Sequence, residues 1–129
     1  MFYLDTSAAA KLVVTERGSA ALRRWLESRD ERIFSSDLLR TELLRATRRA
    51  APAQMVQARA VLESLILLRL STAICERAAM LEPDLPRSLD ALHLAAALEM
   101  GDELEGFVTY DRHLARSAST LGISVVAPA

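Results

Sequence analysis

Asp5, Glu42, Asp90 and Asp111 are the acidic side chains whose types and surroundings could carry chemistry. Asp5 follows the apolar run Phe2-Tyr3-Leu4, and Asp111 follows Phe107-Val108-Thr109-Tyr110. The two segments echo each other, FYLDTSAAAKL against FVTYDRHLARSA: an apolar strand, an acid, then a helix. In a parallel sheet both acids lie at the same carboxyl edge. Aspartate is also a common helix N-cap, and that simpler role stands beside the chemical one. Glu42 falls inside an apolar helical stripe of Leu38, Leu39, Leu43 and Ala46. A carboxylate on a core-facing stripe needs a partner, either an arginine or a metal. Asp90 sits in the first turn of a helix, where the backbone dipole favours an acid. That helix continues Ala-Leu-His-Leu-Ala-Ala-Ala-Leu, apolar nearly all round and therefore central.

Carboxylates without cysteine and with little histidine suit a hard divalent cation, Mg²⁺ or Mn²⁺. Such a cation is a Lewis acid that polarises oxygen ligands and lowers the pKa of bound water. Without a cation the acids repel, and at least one pKa is expected to rise. The hydroxyls of Thr6, Ser7 and Thr109 flank the acids and are placed to orient them. His93, one turn beyond Asp90, reads as a hydrogen-bonded core histidine. With His113 it completes a pair, too few for a histidine cage.

The elements that must position these groups follow from periodicity and punctuation. Strands are expected at 2–4, 32–35, 65–70, 107–110 and 123–126. Helices are expected at 7–14, 18–28, 37–50, 53–64, 72–81, 88–100 and 111–121. Thr6 or Ser7 would cap the first helix and Ser36 or Asp37 the third, while Pro52 sits near the start of the fourth. Pro83 and Pro86 mark a loop. The alternation predicts a single α/β domain with a central, mostly parallel sheet of about five strands and helices on both faces. Ligands of such sheets bind beyond the carboxyl ends of the strands, where the strand order switches.

Composition sets the bounds. A chain of 129 residues, 51% hydrophobic, can bury one aliphatic core as a single domain over 1–129. The lone Cys75 excludes an intramolecular disulfide framework and a cysteine-rich zinc site, and it fits a reducing cytoplasm. The longest stretch without Asp, Glu, Lys or Arg is the last 13 residues, too short and too polar to span a membrane. Asp5 precedes any long apolar run, so no signal peptide is expected. The net charge of −1 hides an asymmetry: residues 17–59 hold ten arginines against five acids, and residues 60–129 five arginines against ten acids. Arginine forks suit phosphate, but 22 alanines beside a single lysine also fit a GC-rich genome.

The segments LDTSA, SSDLLRTELLRA, SLDALHLAAA and VTYDRHLARSA, in this order and spacing, resemble a PIN domain. More narrowly they resemble the VapC-type toxins of bacterial type II toxin–antitoxin pairs, over essentially the whole chain. The resemblance implies a Mg²⁺- or Mn²⁺-dependent endoribonuclease that leaves 5′-phosphate and 3′-hydroxyl ends. Motif by motif, its acidic quartet falls on Asp5, Glu42, Asp90 and Asp111, with Thr109 beside it. It further implies a cognate antitoxin, an RNA substrate and a homodimer. Arg40, Arg45, Arg48 and Arg49 are candidates for gripping the RNA backbone, or else a solvated helix face. Trp25 is a candidate for a partner contact or for plain core. A phosphatase of the haloacid dehalogenase type would need an acid where Ser7 stands, and a receiver domain a late lysine that the chain lacks. An RNA binder that does not cut remains the alternative on the same scaffold.

Overall fold

A computed structural model describes residues 1–29, 32–81 and 87–129. Its strands are β1 (Phe2–Leu4), β2 (Ile33–Ser36), β3 (Ile66–Leu68), β4 (Gly106–Val108) and β5 (Val125–Val126). Its α-helices are α1 (Thr6–Val13), α2 (Ser19–Glu27), α3 (Asp37–Ala50), α4 (Met55–Glu63), α5 (Thr72–Ala79), α6 (Ser88–Leu98) and α7 (Arg112–Thr120). Short 3₁₀ turns lie at Pro52–Gln54 and Gly101–Glu103. The sheet order is β3-β2-β1-β4-β5, and every pairing is parallel. The expectation of a mostly parallel sheet thus becomes an all-parallel one. From β1 the chain works outward through β2 and β3, then returns to the other side of β1 for β4 and β5. The strand order therefore reverses between β1 and β4.

Alternation along the strands builds two cores. Phe2, Leu4 and Val108 pack with Ala8, Leu22, Leu39, Leu43 and Leu62 from α1 to α4. Tyr3, Phe34 and Phe107 face the other way and pack with Ile74, Leu94 and Leu114 from α5 to α7. The Tyr3 ring stacks on Phe107 with centroids 5.1 Å apart and meets Phe34 edge-on at 5.2 Å. A sheet buried on both faces accounts for strands that read as short apolar runs. Ala91, Ala95, Ala96 and Ala97 are all buried in α6, as its uniformly apolar sequence requires.

Several boundaries and stripe positions differ from expectation. The buried stripe of α3 runs Leu39, Leu43, Thr47 at four-residue spacing, and Ala46, expected in it, is exposed. β4 stops at Val108 rather than 110, and β3 and β5 are shorter than expected because few residues find a paired neighbour at the sheet edges. Pro52 opens a 3₁₀ turn before α4 rather than the α-helix itself. Trp25 is half-buried, edge-on to Phe2 at 4.9 Å with the Arg29 guanidinium over its ring at 4.8 Å. The expected loop at Pro83 and Pro86 lies outside the described residues. Among the described residues no helix is long and apolar enough to cross a membrane.

Leu43 is fully buried, whereas Val56 is 82% exposed. Leu43→Ala is expected to cost about 2–5 kcal/mol in urea unfolding, from lost transfer energy and the cavity left behind. Val56→Ala should stay within about 0.5 kcal/mol of the parent. Similar losses for both would contradict this placement of the core.

Candidate active site

The register between β1 and β4 sets the site. Leu4 pairs with Val108, so the next residues, Asp5 and Thr109, emerge side by side at the carboxyl edge where the strand order reverses. Thr109 Oγ1 donates to Asp5 Oδ2 at 2.5 Å. Ser7 Oγ donates to Asp5 Oδ1 at 2.7 Å, and the Ala8 backbone N–H donates to the same oxygen at 3.0 Å. Asp5 is thus itself the N-cap of α1, the simpler role that stood beside its chemical one, while Thr6 and Ser7 lie within the helix, and its φ and ψ are extended as a cap requires. Ser7 Oγ in turn accepts from the Tyr110 N–H at 2.9 Å and ties α1 to the segment after β4.

Asp5 is only 2% exposed. Burial pushes its carboxyl above the usual range, and the hydrogen bonds from Thr109, Ala8 and Ser7, with His93 nearby, only partly offset that.

Asp111 stands two residues beyond Thr109, not directly after the strand as the sequence suggested. Its own N–H donates to Thr109 Oγ1 at 3.1 Å, so one hydroxyl links both aspartates. Asp111 Oδ1 accepts from the N–H groups of His113 and Leu114, at 2.9 and 3.1 Å, and caps α7. Capping and site placement are therefore compatible for both acids: each cap uses one carboxylate oxygen.

Glu42 reaches the same edge from α3. Its Oε1 accepts from Thr6 Oγ1 at 2.6 Å and pairs with His93 Nε2 at 2.7 Å. The arginine partner considered from sequence is replaced by histidine. Burial pushes the Glu42 carboxyl up, but the His93 and Thr6 hydrogen bonds and the electrostatic pull of the His93 ring outweigh it and hold it below the usual range. Its side chain keeps 26% exposure, so the stripe position does not bury it outright.

His93 Nδ1 lies 2.7 Å from Tyr3 Oη, which lies 3.0 Å from Ser36 Oγ. Sequence reasoning assigned His93 to hydrogen-bonded core and missed Tyr3 and Ser36. The available signal was a tyrosine on a buried strand, whose hydroxyl must find a partner. Burial pushes the Tyr3 phenol far up, so it stays protonated. Ser36, expected as a possible cap for α3, occupies the N-cap position without a side-chain cap bond.

Asp90 lies one turn before His93 on α6. Its side chain is 14% exposed and lies 3.4 Å from Arg87. Of the arginines singled out from sequence, Arg40 pairs with Asp37 at 3.6 Å on the exposed side of α3. Arg45, Arg48 and Arg49 are exposed and share a shallow hollow of about 250 Å³.

The donors at this edge are carboxylate and hydroxyl oxygens, the set a hard cation takes. Among the described residues no three His, Cys, Asp or Glu side chains gather tightly enough to enclose an ion by themselves. Mg²⁺ characteristically takes one or two carboxylates and keeps water or phosphate oxygens in its other positions, so this open arrangement fits it. The only partly offset burial of Asp5 fits as well, because a cation would relieve the remainder.

The PIN domain family model matches residues 2–119. The chain belongs to the PIN-domain family. Within that family it is similar to Ribonuclease VapC46 of Mycobacterium tuberculosis, 42% identical, with 98% of this chain and 96% of the relative covered. Ribonuclease VapC47 of the same species is 39% identical, with 99% and 97% covered. The PIN fold itself is shared with the crystal structure of Mycobacterium tuberculosis VapC20, described as a sarcin–ricin-loop-cleaving toxin. There the TM-score is 0.78 at 18% identity, covering 99% of this chain and 100% of that one. A toxin–antitoxin complex from Klebsiella pneumoniae aligns with TM-score 0.77 at 20% identity, covering 100% of this chain and 98% of that one.

The raised pKa of Asp5 in this PIN domain carries a sign that can be measured. A carboxyl whose folded pKa lies above its ordinary 3.8 contributes stability that is complete below 3.8 and lost as the pH rises through the folded value. The ionised form of Asp5 is therefore the disfavoured one in the metal-free fold. Asp5→Asn should raise the Tm at pH 7 in EDTA, with an advantage that narrows as the pH falls toward 4. A variant less stable than the parent at pH 7 would contradict the desolvation account.

Proposed function

We propose that this PIN domain, spanning residues 1–129, is a Mg²⁺-dependent endoribonuclease, with Mn²⁺ able to substitute, and the toxin of a type II toxin–antitoxin pair. The observation that carries the reading is Asp5, buried and triply hydrogen-bonded at the β1/β4 switch point, with Glu42 one residue away through Thr6. Relatives about 40% identical over nearly the whole chain bear the name Ribonuclease VapC, which supports the ribonuclease reading.

Asp5, Asp90 and Asp111 would hold the cation, and Glu42 would hold it too or orient the attacking water. When bound, Mg²⁺ supplies Lewis acidity toward a phosphate oxygen and acidifies water. The chain's own residues do the positioning. Thr109 fixes Asp5 and, through the Asp111 N–H, the segment that carries the second acid. Thr6 and His93 fix Glu42 and keep it ionised, able to face a cation or to orient a water molecule. Hydrolysis in line would leave a 5′-phosphate and a 3′-hydroxyl.

The solved neighbour in a toxin–antitoxin complex supports an antitoxin as the protein partner. A homodimer is proposed from family resemblance, and the cytoplasm is where both RNA and antitoxin would be met. Trp25, edge-on to Phe2, is accounted for by packing and is not assigned to either interface. Arg45, Arg48 and Arg49 offer exposed cations for an RNA backbone.

The purified, antitoxin-free chain should cut cellular RNA into discrete fragments with Mg²⁺ and leave it intact in EDTA. Asp90→Asn should lower the rate by more than about 100-fold, beyond the loss seen when a residue merely supports a metal ligand. Intact RNA after incubation with folded, Mg²⁺-loaded protein would leave only the non-cutting binder.

The metal has a readout apart from activity. Mg²⁺ at about 100 times its Kd should stabilise the parent by about 2.7 kcal/mol. Asp5→Asn should lose most of that shift. Equal Mg²⁺ shifts in both proteins would remove Asp5 from the cation site.

A further inference from the structure

Beside the acids, on the β4/β5 side of the switch point, lies an open cavity of about 670 Å³. It shares Thr109 and Asp111 with the candidate active site, so it adjoins that site at Asp111. Its size falls within the ~300–1,000 Å³ of small-ligand clefts. Val125 and Pro128 contribute an apolar floor, and Lys11, Arg17 and Arg112 bring positive charge to its walls. The hollow on α3, by contrast, is lined by Arg45, Arg48 and Arg49 alone, without an apolar residue.

The cations of the cavity are not equivalent. Lys11 is already engaged: Nζ donates to the Arg17 carbonyl at 2.6 Å, lies 3.3 Å from Glu16 Oε1, and sits 4.7 Å from the Tyr110 ring centroid. Tyr110 is fixed in turn, its hydroxyl donating to the Pro128 carbonyl at 2.6 Å. Gly18, at φ +90°, fits against both: a Cβ there would lie 3.5 Å from Lys11 and 3.6 Å from Tyr110. Lys11, Gly18 and Tyr110 thus form a preset wall. Among the described residues neither Arg17 nor Arg112 forms a salt bridge, and both side chains are exposed. Two exposed guanidinium forks beside an apolar floor match a phosphate joined to a flat, apolar-faced group.

We infer that this cavity receives the nucleotide adjoining the cleaved phosphodiester of single-stranded RNA, its phosphate on Arg17 and Arg112 and its base over the apolar floor. The inference rests on the ribonuclease reading for the position of the cleaved bond. It adds residues outside the acidic quartet and away from α3, and it makes the cavity the place where the neighbouring base is sensed. An acidic peptide would satisfy the arginines but would leave unexplained why the cavity borders Asp111 and the Thr109 hydroxyl that holds Asp5.

The test separates binding from cutting. A labelled single-stranded RNA pool of random sequence is titrated in EDTA, by fluorescence anisotropy, against the full chain and against Arg17→Ala/Arg112→Ala at several salt concentrations. The double variant should bind about tenfold more weakly, with a log Kd against log salt slope lower by about 0.7 for each phosphate released. The substitutions leave the Lys11 bond to the Arg17 carbonyl in place, and an unchanged Tm checks that the variant is folded. Unchanged affinity and slope would overturn the subsite, as would RNA binding too weak to measure in the parent. Unchanged RNA affinity with lost binding of the cognate antitoxin would overturn it and give the cavity to a protein. The same two proteins are then given Mg²⁺. A parent that binds through the arginines without cutting defeats the ribonuclease reading and leaves the subsite standing, whereas a variant that binds and cuts like the parent defeats the subsite alone.

Discussion

A carboxylate buried at the end of the central strand is the constraint around which this molecule is arranged. An isolated ionised carboxylate cannot be taken out of water without compensation. Asp5 receives donors from three directions: along its own helix from Ala8, across the first turn from Ser7, and across the sheet from Thr109. Each contact demands a feature of the fold. The Ala8 bond needs α1 to start immediately after β1. The Thr109 bond needs β4 next to β1 in the register that pairs Leu4 with Val108. That adjacency requires the chain to cross back over β1 after building β2 and β3, and this crossing produces the switch point. The crevice and the acid within it are one topological event.

Asp5 and Glu42, linked through Thr6, are shifted in opposite directions. Burial dominates at Asp5 and raises its carboxyl, whereas hydrogen bonds from His93 and Thr6 prevail at Glu42 and lower it. Environments that push two neighbouring carboxyls apart give them different tasks. The chain of contacts behind Glu42 explains how the difference is held. Glu42 comes from the helical layer on one face of the sheet, and His93 from α6 on the other. Tyr3 and Ser36 complete the line from β1 and β2. Four elements and both layers therefore fix one carboxylate oxygen. Among the described residues no buried side-chain polar atom lacks a hydrogen-bond partner, the condition under which such a network adds rigidity rather than cost.

Legibility in the sequence followed the range of the interactions. The α/β alternation, the parallel sheet and the bounds of α3 could be read because they rest on local periodicity and on apolar runs buried from both sides. Asp5 and Asp111 could be picked out because strand–acid–helix is a local pattern. What could not be read was register. The matching segments suggested that Asp111 corresponds to Asp5, yet cross-strand pairing places Thr109 opposite Asp5 and Asp111 two residues further on. Likewise Glu42 was recognisable as an acid needing a partner, but the identity of that partner, His93, 51 residues away, depends on how α6 crosses the sheet. The cap of α1 was left open because Asp5, Thr6 and Ser7 are all good capping types and only geometry chooses among them.

The distribution of charge shows the same limit from another side. Counting along the chain places the positive excess in residues 17–59 and an equal negative excess in residues 60–129, which suggests that any polyanion belongs to the first half. Folding redistributes those charges. Arg40 is drawn to Asp37 and Arg29 to the Trp25 and Phe2 rings, so part of the basic excess is engaged locally. Arg112, counted with the acidic half, is carried by β4 and α7 to the same cavity as Arg17 from the basic half, beside the acids. Steering of a charged ligand depends on the field at the cleft, not on the sum over a segment. An arginine immediately after Asp111 can therefore matter more to a phosphate at that edge than the larger group on α3, because the fold, not the composition, brings it there.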